Sequence, residues 1–263
     1  MDPTYLASLF ILGFFGGTLS GLLGIGGGIV MFPLLLYFPS VLGFTALSIK
    51  AAAAITSVQS FFGAVSGAIA HHRYRRVNLS LAWYFGGSMC VTSLLGSVTS
   101  KFVVEEVILV VFAMMAVVAA YMMLRPKKHH DDDVDNELAE TLSFSKPVAL
   151  LCGSLLGFLS GVVGQGGGFI FVPVMLYILK VPTRITIGTA LIVGIASSSA
   201  VLIGRAGTLQ IPYLLSFVTV AGAILGAQIG AKLSQLTPRH RLRQILSGII
   251  LLTAIRMLYG VMM

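Results

Sequence analysis

The chain has 263 residues, 57% of them apolar and only 10% charged, with a formal charge of +8. Apolar blocks of about 20 residues recur from end to end, which excludes a soluble globular domain and reads as an integral membrane protein of several helices. The basic residues stand at predicted helix ends without interleaved aromatics, so the positive charge reads as a positive-inside signal and not as a nucleic-acid footprint.

Residues 1–4 carry no basic region and no small-residue cleavage pattern follows, so the first apolar segment, 5–23, reads as retained and not as a signal peptide. It breaks at Gly24-Ile25-Gly26-Gly27-Gly28 and resumes over 29–38 before Pro39. A block rich in small residues, 49–70, ends at His71-His72-Arg73-Tyr74-Arg75-Arg76. The next, 79–99, opens with Trp83 and Tyr84 at the level of an aromatic belt. After Lys101, Glu105 and Glu106 comes 107–124, which stops at Arg125-Pro126-Lys127-Lys128. Residues 129–146 are polar and acid-rich, a solvated linker. The second half repeats the plan: 148–163, a glycine break at 164–168, then 169–179, 185–204, 211–233 and 242–263. Cys90 and Cys152 fall within apolar blocks and read as buried thiols.

The expected fold class is therefore an all-α integral membrane protein of two repeats, each a glycine-broken helical hairpin plus three transmembrane helices. The first repeat is 1–124, a charged cytoplasmic linker is 125–146, and the second repeat is 147–263. Shifted by 140 residues, Gly13, Gly17, Ser20, Gly21, Gly24, Gly26, Gly27, Gly28, Pro33 and Tyr37 meet Gly153, Gly157, Ser160, Gly161, Gly164, Gly166, Gly167, Gly168, Pro173 and Tyr177. If each hairpin returns to its own side, 13 of the 17 basic residues become cytoplasmic, all but Lys50, Lys101, Arg205 and Arg256. The halves then start from opposite sides, the inverted-repeat plan of many secondary transporters. Either the glycine loops re-enter to mid-depth or both hairpin legs span; re-entry is favoured, because 29–38 rises only about 15 Å as helix.

Three consecutive glycines cost a helix about 1 kcal/mol each relative to Ala, so bare backbone is wanted there. Glycine admits close approach of a ligand, and a short helix beginning after the break aims unpaired N–H groups and its positive dipole end at the loop. The chemistry expected of Gly26, Gly27, Gly28, Gly166, Gly167 and Gly168 is thus oxyanion binding, with Gln165 as an added polar contact. The four-residue ladders Gly13/Gly17/Gly21, Gly153/Gly157/Gly161 and Gly222/Gly226/Gly230 read as helix packing. Position 29 is Ile where a dinucleotide fingerprint needs Gly, and no Gly-Lys-Ser/Thr follows either loop. Every Asp and Glu lies at a helix end or in a loop, which argues against cation carriage. His129-His130 read as linker, not as a metal site, and no cofactor is expected. Lys50, Arg184 and Arg256 are intramembrane cations that either snorkel or draw an anion inward. Thr56, Ser57, Gln59, Ser60, Thr189 and Ser197 to Ser199 supply hydroxyls and an amide whose usual role is bonding to helix carbonyls. No buried acid, His or cysteine pair is offered for enzymatic chemistry.

The doubled Gly-x-Gly-Gly-Gly loop with Pro five residues on, Gly24 to Pro33 and Gly164 to Pro173, followed by Thr56-Ser57 and Gly188-Thr189, resembles the sulfite exporter TauE/SafE family of membrane transporters. The resemblance implies movement of sulfite, thiosulfate, sulfonates or related anions across the bacterial inner membrane, linked to the proton gradient. It selects Gly26 to Gly28, Gly166 to Gly168 and the neighbourhoods of Thr56, Ser57 and Thr189 as site residues, to which the charge argument adds Lys50 and Arg184. The expected function is a secondary transporter of small sulfur anions working by alternating access; the rivals are an anion channel on the same scaffold and a membrane assembly subunit.

Overall fold

The computed structural model of the chain describes residues 3–23, 27–71, 77–124, 144–165, 168–208 and 211–262. Helices fill nearly all of them, and no strand occurs among the described residues. The first half holds α1 (Pro3–Leu23), α2 (Gly28–Val41), α3 (Ile49–His71), α4 (Leu79–Thr99) and α5 (Glu105–Leu124). The second holds α6 (Lys146–Val163), α7 (Gly168–Tyr177), α8 (Thr183–Gly207), α9 (Tyr213–Leu236) and α10 (Arg239–Met262). Within α4, Ala82–Gly86 forms a π turn.

Among the described residues six helices, α1, α4, α5, α6, α8 and α9, are long and apolar enough to cross a membrane. Their outer faces expose Phe15, Val91, Met114, Leu151 and Phe217, a surface that suits hydrocarbon and would be a liability in water. The helix α3 is not among the six: Thr56, Ser57, Gln59 and Ser60 occupy its middle. All four are buried, and α3 packs against α1, α2, α8 and α9.

Lipid supplies no hydrophobic drive between helices, so close backbone approach through small residues does the packing. A Cβ at Gly13, Gly17 or Gly21 of α1 would overlap Thr219, Ala223 or Ala227 of α9, and Gly222, Gly226 and Gly230 meet Phe10, Phe14 and Thr18 in return. In the same way Gly153, Gly157 and Gly161 of α6 lie on Phe85, Met89 and Ser93 of α4. The glycine ladders are packing devices. Expected outcome: Gly17→Leu or Gly157→Leu lowers the thermal midpoint and the recovery of monodisperse protein on detergent size-exclusion, since overpacking of this kind costs at least about 1–3 kcal/mol. Gly87→Ala, which meets open space, leaves both unchanged.

The order of these contacts fixes helix direction. Residue numbers rise together along α1 and α9, and along α4 and α6, so each pair is parallel. The helices α4 and α8 are also parallel: Gly86 meets Val193, Ser93 meets Ser197 and Gly204 meets Ser97. The helix α3 runs with α1, Gln59 lying beside Gly16 and Gly63 beside Ser20, but against α8, Ala64 lying near Gly194 while Val58 clusters with Leu202 and Ala206, so α9 opposes α4 and α1 opposes α6. Packing is matched between the halves: α1 lies on α9 as α6 lies on α4, and α3 on α9 as α8 on α4. The ends of α3 and α5 and the starts of α6, α8 and α10 consequently share one end of the bundle.

The short helices α2 and α7 have 14 and 10 residues, about 21 and 15 Å of rise, against about 30 Å for a hydrocarbon core. Their aromatic faces meet on α5: Phe112 lies 4.9 Å from Phe32 of α2 and 5.6 Å from Phe169 of α7, centroid to centroid. All three rings are buried.

Candidate functional site

The chain does not begin α2 where α1 ends. Gly27 lies beside Gly16, within α1, and Gly28 lies beside Ser60, the midpoint of α3. The start of α2 is thus halfway along the bundle. Gly27 forms its N-cap in the left-handed region at φ 70°, with its carbonyl accepting from the N–H groups of Val30 and Met31. Among the described residues no side chain caps this end, and such an end offers its first amides to an acceptor.

The second loop comes to meet it. The helix α6 closes on Gly164, left-handed at φ 87°, whose N–H, like that of Gln165, donates to Ser160 O. Gln165 is then set against Gly28: a Cβ on Gly28 would lie 3.3 Å from Gln165 Cβ, 3.4 Å from its carbonyl oxygen and 3.1 Å from Ser60 Oγ. Two breaks 140 residues apart in sequence therefore abut in the interior.

Polar side chains gather there. The Gln59 amide nitrogen would lie 3.1 Å from a Cβ on Gly27 and 3.6 Å from one on Gly16 or Gly63, and Ser20 Oγ is 3.2 Å from the same point on Gly63. Gln59 and Ser20 are fully buried, Ser60 and Ser160 nearly or wholly so, and Gln165 is 2% exposed. Among the described residues, the hydroxyls of Ser20, Ser60 and Ser160 and both amide atoms of Gln59 and Gln165 find no hydrogen-bond partner. A buried polar group without a partner costs about 1–3 kcal/mol. Seven such atoms belong to residues at or near the two helix breaks. Ser20 and Ser160 correspond to each other in the repeat.

The predicted residues divide accordingly. Gly27, Gly28 and Gln165 come together, and Gly168 opens α7. Gly26, Gly166, Gly167 and the side chain of Arg184 lie outside the described residues, as do Arg73 to Arg76, His129-His130 and most of the linker. Thr56 and Ser57 are buried, but their hydroxyls donate to Ala52 O and Ala54 O of their own helix. Thr189 Oγ1 accepts from Asn78 N–H at 3.1 Å, tying α8 to the start of α4. Lys50 is a correction: its Nζ donates to Lys101 O at 3.1 Å, about 14 Å of helix rise before Gln59. The Arg256 guanidinium, on an exposed residue, lies 3.9 Å from the centre of the Tyr37 ring, at the far end of α2 from Gly28. Expected outcome: Lys50→Gln and Arg256→Gln each leave the half-saturating concentration for transport within about twofold, because an exposed cation–π contact is worth only about 0.5–1 kcal/mol to the fold.

Four neighbouring polar residues of α3 are candidates on sequence alone, and the structure separates them, as it relocates Arg205. Gln59 and Ser60, one turn after Thr56, are the α3 residues that face the loops; only the tertiary contacts separate them from Thr56 and Ser57. Arg205, expected in an outer loop, is in the last turn of α8 and fully buried. Its Nη2 donates to Val162 O at 3.2 Å. The helix continues three residues beyond the apolar run that ends at Gly204, which is why hydropathy misplaced it. Cys90 and Cys152 are free and half-buried, and no group of metal-ligating side chains occurs among the described residues.

A family model described as sulfite exporter TauE/SafE matches residues 9–257. "Probable membrane transporter protein YunE" of Bacillus subtilis (strain 168) is 24% identical over 263 residues, covering 95% of this chain and 96% of that protein. A probable membrane transporter protein of Methanocaldococcus jannaschii is 27% identical over 93% of this chain and 92% of its own length. "Probable membrane transporter protein YjnA" of B. subtilis is 27% identical over 95% and 99%. No solved structure matches the chain.

Proposed function

The chain belongs to the sulfite exporter TauE/SafE family, and from that membership we propose that it carries sulfite or a related sulfur anion, thiosulfate or a sulfonate, across the bacterial inner membrane. That it is a multi-pass membrane transporter and not an enzyme follows from the family and its relatives. The cargo, the direction, alternating access and a link to the proton gradient belong to the proposal.

One observation carries the site: the uncapped start of α2 meets Gln165 of the second loop at the middle of the bundle, among buried polar atoms that no described protein group bonds. Hydroxyl, amide and backbone N–H donors suit an oxyanion, and a helix N-terminus adds positive potential. In this reading Gly26 to Gly28, Gln165 and Gly166 to Gly168 line the cargo, Gln59, Ser60, Ser20 and Ser160 complete its bonding, and Thr56, Ser57 and Thr189 hold the backbone behind them.

The opposed directions of α1 and α6 support a pseudo-two-fold axis in the membrane plane, and the distribution of Lys and Arg supports a cytoplasmic linker. Two glycine-locked bodies, α1 with α3 and α9 and α6 with α4 and α8, meet chiefly along α3 and α8. Rocking of one against the other about a central site would expose it to each side in turn.

Counterflow in proteoliposomes tests the proposal. With unlabelled sulfite, thiosulfate or a sulfonate inside, saturable uptake of the labelled anion, stimulated from the trans side and responsive to a pH gradient, is the expected result. Passive equilibration without trans-stimulation would replace the carrier with a channel, and no flux of any anion would reject transport of this class.

A further inference from the structure

We infer that Arg256, held over Tyr37 and close to Tyr259, is a binding place for the phosphate of an anionic phospholipid, in the leaflet remote from the basic start of α10 and whatever the cargo. Arg256 is the one charged residue of the last apolar run, 245–263. It is exposed on a helix that also exposes Leu252, Ile255 and Tyr259. A cation on a face made for hydrocarbon is costly unless it reaches water or an anion, and it marks a function by default.

The protein around it supplies no anion. Residues 3–104 and 141–263 contain no Asp or Glu. Of the acids that open α5, Glu105 accepts from Ile49 N–H at 2.9 Å and Glu106 is exposed. Among the described residues Arg256 makes no ion pair, and its contacts are the two tyrosine rings, whose centroids lie 3.9 and 5.9 Å from Cζ. A guanidinium over a ring face keeps its charge, and its N–H groups remain for a two-point acceptor such as phosphate.

Depth points to a lipid as the source of that phosphate. The start of α2 lies at the midpoint of α3, and Tyr37 is nine residues beyond Gly28, about 14 Å of helix rise against about 15 Å for half a hydrocarbon core. Counted along α10, Arg256 is 17 residues from Arg239, about 26 Å into a core about 30 Å thick. Both counts bring the guanidinium to the boundary where headgroup phosphates lie, a level that also suits tyrosine. A cation between transmembrane helices at that level recognises an anionic headgroup. The bound lipid would clasp α10 to the far end of α2, the helix whose first residue, Gly28, abuts Gln165.

The test reads the thermal midpoint of the purified full chain in one detergent, with added phosphatidylglycerol, phosphatidylcholine of the same acyl chains, or glycerol 3-phosphate. Expected: phosphatidylglycerol raises the wild-type midpoint above the phosphatidylcholine value by about 4 °C or more, the scale of ligand linkage at saturation, and glycerol 3-phosphate leaves it unchanged. R256Q keeps a planar donor and loses the charge, so the difference between the two lipids should disappear; R256K should keep about half of it. A structural brace would lower the R256Q midpoint equally in both lipids and leave their difference standing. That result overturns the inference, as does wild type that shows no difference. A rise with glycerol 3-phosphate that matches phosphatidylglycerol overturns the assignment to lipid. If R256Q is not recovered folded, R256H is measured at pH 5.5 and 8.5. A difference between the lipids confined to the acid pH, where imidazole is charged, supports the inference, and an equal difference at both overturns it.

Discussion

Replacing Gly27 with valine is expected to abolish counterflow, to below about one hundredth of the wild-type rate, while folded protein is still recovered. Two penalties act at this position. Gly27 has φ 70°, a region a β-branched residue does not occupy without strain. Any Cβ there would also overlap Gly16 O and stand 3.1 Å from the Gln59 amide nitrogen, so the start of α2 must move away from Gly28, Ser60 and Gln165. Displacing a binding group by about 1 Å can cost a hundredfold in rate. The interfaces that hold the bundle, α1 on α9 and α6 on α4, are not touched by the change, which is why the fold should survive. Gly43→Ala is the control. Gly43 has φ 79° but nothing within 4 Å of its Cβ position, so it carries the backbone strain alone, about 1–2 kcal/mol, with transport intact. Flux above half of wild type in Gly27→Val would mean that the loop is a packing device and the site lies elsewhere.

Gln165→Leu should separate function from stability. The Gln165 amide is buried and bonded to no described protein group, so an apolar side chain of similar size removes an unpaired polar burden and keeps or raises stability by about 1 kcal/mol. Transport should move in the opposite direction. A hydrogen bond to a charged ligand is worth about 1.5–3 kcal/mol, about 10-fold to 100-fold in half-saturation at 1.4 kcal/mol per decade. Gln59→Leu is expected to follow the same pattern from the α3 side. The thermal midpoint in detergent and the concentration dependence of counterflow, taken on one preparation, read both quantities. A lower midpoint with unchanged half-saturation would make Gln165 a structural residue.

The architecture was largely legible because lipid imposes long apolar runs that composition reveals directly. The expected blocks 49–70 and 79–99 correspond closely to α3 and α4, and the second glycine-broken pair to α6 and α7. The repeat exposed both loops, since three adjacent glycines within an apolar run have no packing rationale of their own. Choice among neighbouring polar residues was not legible. Thr56, Ser57, Gln59 and Ser60 are equally buried and equally spaced as text, yet the hydroxyls of the first two close on α3 carbonyls while the last two face Gly27 and Gly28. Rotation of a helix about its axis is set by what packs on it, here α1, α2, α8 and α9. Arg205 failed for a related reason. A charge at the edge of an apolar run reads as a loop residue, but α8 extends to Gly207 and α6 offers a carbonyl that receives it.

The sequence by itself determined that the chain is an all-helical membrane protein and that glycine-rich stretches recur 140 residues apart within its apolar runs. These are local properties, written in hydropathy, in backbone tolerance and in self-similarity. Only the tertiary structure decided that α1 runs with α9 and α6 with α4, that Gly28 and Gln165 abut, and that Arg205 and not Lys50 stands beside a loop. Those outcomes depend on which backbones approach closely enough for a glycine to be required, a relation between residues more than a hundred positions apart.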